Sequence, residues 1–113
     1  MRGLTVRWSL ADTPMELLDE LRDYVDDVSH ARFSALASLK FKTWRARPGE
    51  WFEGTYVFAD SEARAEFEAG FSNGAADSPV SRILGRAPSV IEPCEIVAVA
   101  EGGAGFEPAS RLD

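Results

Sequence analysis

The chain is poor in the residues that make covalent and metal chemistry easy to recognise. It has one cysteine, Cys94, and one histidine, His30, in 113 residues. A single thiol rules out an intramolecular disulfide and a paired-cysteine metal site, and it fits a reducing compartment. The carboxylates near the lone histidine are not interleaved with it at ligand spacing, so no metal and no cofactor are expected. Positive charge is also scarce: 12 Lys and Arg stand against 19 Asp and Glu, a formal charge of -7. That balance argues against nucleic-acid binding by general counterion release. No stretch approaches the ~20 apolar residues of a membrane span. The opening MRGLTVRWSLADTP lacks an apolar run of signal-peptide length. The expected location is therefore the cytoplasm, with no membrane and no nucleic acid as partner.

What remains is an ordinary globular composition, 45% hydrophobic and 27% charged, in a chain of single-domain length. Leu4, Val6, Trp8 and Leu10 alternate with Thr5, Arg7 and Ser9, the pattern of a half-buried strand. Thr13-Pro14-Met15-Glu16 then reads as a capping box with proline at the first helical position. Leu17, Leu18, Leu21, Tyr24, Val25 and Val28 follow at spacings of three and four, which predicts a helix over 14–31. Residues 36–46 and 51–59 read as two strands joined at Pro48-Gly49. Asp60 is placed to cap a helix over 61–72 with Ala63, Phe67 and Phe71 on one stripe, ended by Asn73-Gly74. Ser78-Pro79 opens a short helix that stops at Gly85, and 89–100 make the last strand. The domain is expected to span 1–100, with 101–113 a flexible or partner-contacting tail rich in glycine and proline.

The order strand, helix, strand, strand, helix, strand predicts an α+β fold of ferredoxin-like type. Its four-stranded antiparallel sheet would carry helices on one face. With Arg47 and Glu50 flanking the turn, Trp44 falls opposite Glu53, Lys42 opposite Thr55, Arg45 opposite Phe52 and Phe41 opposite Tyr56. One hairpin face then carries Leu39, Phe41, Thr43, Arg45, Phe52, Gly54, Tyr56 and Phe58 and is expected to meet the helices. The other carries Lys40, Lys42, Trp44, Trp51, Glu53, Thr55 and Val57. Large aromatics left on an open sheet face suggest an association surface, so a two-fold homodimer with Lys42, Trp44 and Trp51 at its interface is expected. Charge is uneven too. Glu16, Asp19, Glu20, Asp23, Asp26 and Asp27 form an acidic block, and Lys40, Lys42, Arg45 and Arg47 form a basic strand. Either these are solvated faces, or one strand cation faces a pocket and holds an anionic ligand.

Lys42-x-Trp44, then Glu53-Gly54-x-Tyr56-x-Phe58, then Asp60 before an alanine-rich helix, resembles the YdhR-type mono-oxygenase family of the dimeric α+β barrel superfamily. The likeness is clearest from Leu39 to Phe67. Glu53 stands where the family pattern has a first glycine. The resemblance implies a homodimer whose two sheets form a barrel, with a pocket in each subunit between sheet and helices. It further implies oxygenation of small aromatic or polyketide-like compounds without metal or flavin. A cyclase or dehydratase of similar molecules, or a non-catalytic ligand-binding protein, are the alternatives.

On this basis the candidate catalytic residues are Arg45, Tyr56 and His30. Arg45, among aromatics on the face expected to meet the helices, either snorkels to water or stabilises a phenolate or enolate. Tyr56 either is satisfied by the backbone or bonds the same oxygen. His30, expected at the end of the first helix, is a surface or capping residue favoured there by the helix dipole, or else a proton acceptor or haem ligand. Trp8, Phe41, Phe52, Phe58 and Phe67 are core residues or substrate-stacking groups. Lys42 or Lys40 is expected to pair with Glu53. Cys94, mid-strand, is expected to be inert.

Overall fold

The computed structural model describes residues 1–112. In chain order it contains β1 (Arg2–Ser9), α1 (Glu16–Tyr24), a π-helical turn (Val25–Ser29) and α2 (His30–Ser34). Next come β2 (Leu39–Arg47), β3 (Trp51–Phe58), α3 (Ser61–Asn73), a 3-10 turn (Ala75–Asp77), α4 (Pro79–Leu84) and β4 (Val90–Glu95). The strands form one antiparallel sheet in the order β2-β3-β1-β4. The helices pack on one side of it, so the fold is α+β of ferredoxin-like order.

The strand alternation decides which side is buried. Leu4, Val6 and Trp8 of β1 and Phe52, Tyr56 and Phe58 of β3 point to the helices, where they meet Leu18, Leu21, Val25, Phe33, Val80 and Leu84. β4, an edge strand, tolerates Pro93 because a proline without an N–H breaks no interior ladder there. The Asp60 side chain accepts from the Ala63 N–H at 2.8 Å and caps α3. Gly85, at φ 69°, ends α4 in the left-handed conformation that glycine adopts freely.

Three local expectations change. Thr13 does not cap α1: its hydroxyl donates backwards to the Leu10 carbonyl at 2.7 Å, and the helix begins at Glu16 without a side-chain cap. The first helix runs on to Ser34, interrupted by the π turn. That turn inserts one residue into the 3.6-residue phase, so Ser29 rather than Val28 faces the core, and Val28 is exposed. His30 therefore lies inside the helical run and not at its end. The last strand stops at Glu95, short of residue 100.

The largest change is in the hairpin. Glu50 donates its N–H to the Arg47 carbonyl at 2.9 Å, closing a turn with Pro48 and Gly49 at its centre. Gly49 has φ 77°, as the third position of a type II turn requires. Glu50 is a third loop residue, its carbonyl held by the Leu10 N–H at 3.0 Å, so Arg47 pairs with Trp51. The expected register had paired Arg47 with Glu50. A shift of one residue turns β2 over relative to β3. Lys42 now faces Tyr56, Trp44 faces Gly54, and Arg45 faces Glu53. Lys42 and Trp44 thus belong to the helix-covered side, while Arg45 and Phe41 belong to the open side. An irregularity between Leu39 and Phe41 brings Leu39 back opposite Phe58.

The open side is built around a carboxylate. Glu53 has no exposed surface. It accepts from Arg7 Nε at 2.8 Å and from Arg45 Nε, so its expected lysine partners are replaced by two arginines. Both guanidinium groups lie over the Trp51 ring, at 4.2 and 5.5 Å from its centroid. Thr43 and Thr55 bond across the strands beside this cluster, and Val57 and the partly exposed Phe41 continue the face. Beyond β4 there is no further helix or strand among the described residues. Arg111 pairs with Asp23 and Asp26 of the acidic helix, while Val97, Phe106 and Leu112 are exposed.

Candidate ligand cavity

Between sheet and helices lies a cavity of about 350 Å³. Its floor is the inward face of three strands: Trp8 from β1, Lys42 and Trp44 from β2, and Phe52, Gly54 and Tyr56 from β3. Its walls are Phe33 from α2, Phe67 and Phe71 from α3, and Val80 from α4. The rings brace one another. Phe33 meets Tyr56 edge-on at 5.5 Å, Tyr56 lies 5.0 Å from Phe67, and Trp8 meets Phe71 edge-on at 6.1 Å.

The wall's polar ends are tied off. Trp8 Nε1 donates to Ser81 Oγ at 2.9 Å, and Ser81 in turn donates to the Ala75 carbonyl at 2.6 Å. Trp44 Nε1 donates to Ser29 Oγ at 3.2 Å, a contact that exists because the π turn brings Ser29 inward. Single-turn π segments of this kind recur at functional sites.

The polar ends of Lys42 and Tyr56 are not tied off. Neither Lys42 Nζ nor Tyr56 Oη makes a hydrogen bond among the described residues, and no fully buried side-chain nitrogen or oxygen there lacks a partner. Both atoms therefore keep contact with open space, which here is the cavity they line. Lys42 Nζ sits 3.5 Å from the Phe33 ring centroid, 4.3 Å from that of Tyr56 and 4.4 Å from that of Trp44, a three-sided aromatic cage.

Glycine makes this approach possible. A Cβ at Gly54 would lie 3.2 Å from Lys42 Cε, from Tyr56 Cε1 and from Tyr56 Oη. The bare backbone lets the lysine side chain cross β3 and reach the tyrosine.

Burial pushes the Lys42 amine well below the ordinary lysine range, and the Arg32 guanidinium pushes it the same way. Burial also pushes the Tyr56 phenol well above its ordinary range; Arg32 opposes that and Tyr24 adds to it. Neither Lys42 nor Arg32 forms an ion pair among the described residues. No carboxylate and no imidazole line the cavity among those residues. The acidic chain thus keeps a cationic, aromatic interior space, suited to a flat ligand with an acidic oxygen.

Of the residues singled out in the sequence, Tyr56, Trp8, Phe52 and Phe67 line this cavity, as do Lys42 and Trp44, which were expected at a subunit interface. Phe58 lies wholly in the core. His30 lies tilted against Trp44, with ring centroids 5.8 Å apart, but is not among the lining residues. Arg45 and Phe41 lie on the opposite side of the sheet, and Trp51 lies with them on the open face. Arg32, Phe33 and Ser29 were not anticipated, since the expected helix ended at 31 and placed Val28 inward. No protein-family model matches the chain, and no curated protein sequence matches it.

Proposed function

We propose that the chain is a cofactor-independent mono-oxygenase of a small aromatic or polyketide-like compound, acting as a homodimer. The observation that carries this reading is the unneutralised Lys42 amine in an aromatic cavity beside Tyr56. The role first assigned to Arg45 passes to Lys42 and Arg32. A lysine with a lowered proton affinity can serve as a general base. It takes a proton from an activated methylene of the bound substrate. The resulting ammonium and Arg32 face the enolate or phenolate oxygen, and the protonated Tyr56 phenol donates to it. The anion passes an electron to dioxygen, and the pair recombines as a peroxide. Loss of water then leaves a ketone, so CH2 and O2 become C=O and H2O with no external reductant.

The sequence resemblance supports the same reaction class, and the lone Cys94 fits the reducing cytoplasm. The open sheet face, with the exposed Phe41 and the half-buried Trp51 beside the Glu53 cluster, is the surface that fits a second copy.

An anthrone-type substrate under air is expected to give quinone faster than the buffer control. Replacing Lys42 by methionine should slow this by about 10²-fold or more, the usual contribution of a general base. No acceleration across several such substrates sinks the proposal. Because a neutral amine also serves enolate chemistry that needs no oxygen, turnover persisting under argon would favour a cyclase or dehydratase instead. Saturable Trp44 fluorescence quenching without any turnover would leave a binding protein.

A further inference from the structure

We propose that the Lys42 amine captures aromatic aldehydes and ketones as an imine within the cavity, with Tyr56 supplying the proton that releases water. Three independent features of the cavity lead there. First, the amine has no counter-ion and no hydrogen-bond partner among the described residues, yet it touches open space. An ammonium held for structural reasons would be paired. Second, a phenol without a hydrogen-bond partner among the described residues stands beside it on the cavity wall. Lys42 Cε and Tyr56 Oη lie within 3.2 Å of the same point above Gly54. Third, the surrounding surface is made of rings. Phe33, Trp44, Phe67 and Phe71 offer faces and edges to an aryl group, and nothing acidic competes for the amine.

The step balances without a co-reactant. The amine nitrogen attacks the carbonyl carbon, and the nitrogen–carbon bond forms as the carbonyl π bond opens to a carbinolamine. Tyr56 protonates the departing hydroxyl, water leaves, and the proton lost from nitrogen restores the phenol. Amine plus carbonyl gives imine plus water, with no oxidation or reduction. Burial favours the neutral, nucleophilic form of the amine, in line with its attacking role beside the phenol. The inference shares its cavity with the mono-oxygenase proposal but not its oxygen step, so either stands without the other.

The chain suits a direct test, because it has only two lysines, Lys40 and Lys42, and the amino group of Met1. Lys40 precedes Lys42 by two residues, is exposed, and serves as an internal reference. The full-length protein is incubated under argon at neutral pH with benzaldehyde and cyanoborohydride, and the trapped adducts are mapped by peptide mass. A lowered proton affinity leaves a larger share of Lys42 as neutral amine, so Lys42 is expected to label about tenfold faster than Lys40. Tyr56→Phe should slow labelling of Lys42 and leave Lys40 and Met1 unchanged. Lys42→Arg should keep the far-ultraviolet circular dichroism and lose only the fast-labelling site. Equal labelling of Lys40 and Lys42, or labelling confined to Met1 and Lys40, overturns the proposal. An unchanged Lys42 rate in Tyr56→Phe removes the tyrosine from it. Since no oxygen is present, failure here does not touch the oxygenation reading, and failure of oxygenation does not touch this one.

Discussion

Both faces of the sheet hold buried or half-buried charged side chains and treat them in opposite ways. On the open face, Glu53 is buried but accepts from Arg7 and Arg45, and both arginines rest on Trp51. On the covered face, Lys42 is caged by rings and makes no ion pair among the described residues. The first arrangement is closed at its buried centre: both Glu53 oxygens accept from an arginine. The second is open. A fold can keep a buried charge by satisfying it, but it keeps an unsatisfied one at a cost in stability. Charge that has been satisfied explains structure, and charge that has not is where a ligand or a reaction belongs.

Removing the arginines should produce the largest effect, because it turns the closed cluster into an open one. Arg7→Met with Arg45→Met strands the Glu53 carboxylate without either partner. Stranding a buried charge in this way costs about 3–5 kcal/mol. Each single variant should cost much less, since one arginine still pairs and both are partly exposed to water. Urea unfolding of the three variants checks this. Additive small losses would mean that Glu53 finds water and that the cluster is not closed.

Lys42→Met should do the reverse. It replaces an unpaired amine by an apolar group of similar length, so the variant should unfold at a higher temperature near neutral pH while losing the chemistry. The sign of the pH dependence follows from the lowered proton affinity. Between the folded value and the ordinary lysine value of 10.5, the unfolded chain holds one more proton than the folded one. Wild-type stability therefore rises with pH in that window and levels off below the folded value, where both states hold the proton. Its slope relative to Lys42→Met reaches up to about 1.4 kcal/mol per pH unit. The measurement belongs below pH 10.0, where the unfolded-state tyrosine begins to ionise and the raised Tyr56 reverses the trend. Parallel stability curves for the two proteins would show that the amine stays charged and solvated in the fold.

The order of elements was legible because each boundary carries its own local chemistry: the Asp60 cap, Ser78-Pro79 opening α4, Gly85 closing it. The inward sets of β1 and β3 were legible as well, since only one face of each strand is continuously apolar. β2 was not. Phe41, Lys42, Thr43, Trp44 and Arg45 place an aromatic and a cation on both faces, so alternation cannot choose between them. Pro48-Gly49 marks a turn but does not say whether the loop has two residues or three, and Glu50 decides it. The same ambiguity sent Arg45 to the cavity and Lys42 to the surface. Arg32, Phe33 and Ser29 were hidden by the π turn, which changes the helical phase without a proline or glycine to announce it. Half of the cavity was thus readable from β1, β3 and α3, and the half bearing the amine depended on a register that side-chain pattern alone leaves open.

Gly54→Ala should have the smallest effect and makes the sharpest distinction between the faces. Alanine is favoured over glycine within a strand by about 0.5–1 kcal/mol. Here that gain is opposed by a methyl group 3.2 Å from Lys42 Cε and from Tyr56 Oη, so the net change in stability should be small. The methyl group nevertheless pushes apart the two groups that face the ligand. Affinity for an aromatic phenolate, read by Trp44 fluorescence, should fall about tenfold, a loss of ~1.4 kcal/mol. The neighbouring Thr55→Ala removes a hydroxyl from the open face, where it bonds Thr43, and should leave affinity unchanged. If both variants bind alike, the approach of Lys42 to Tyr56 over Gly54 is not part of recognition. If only Gly54→Ala weakens binding while both remain equally stable, the covered face is the one that meets the ligand. The absent Cβ is then what lets an unpaired lysine reach it.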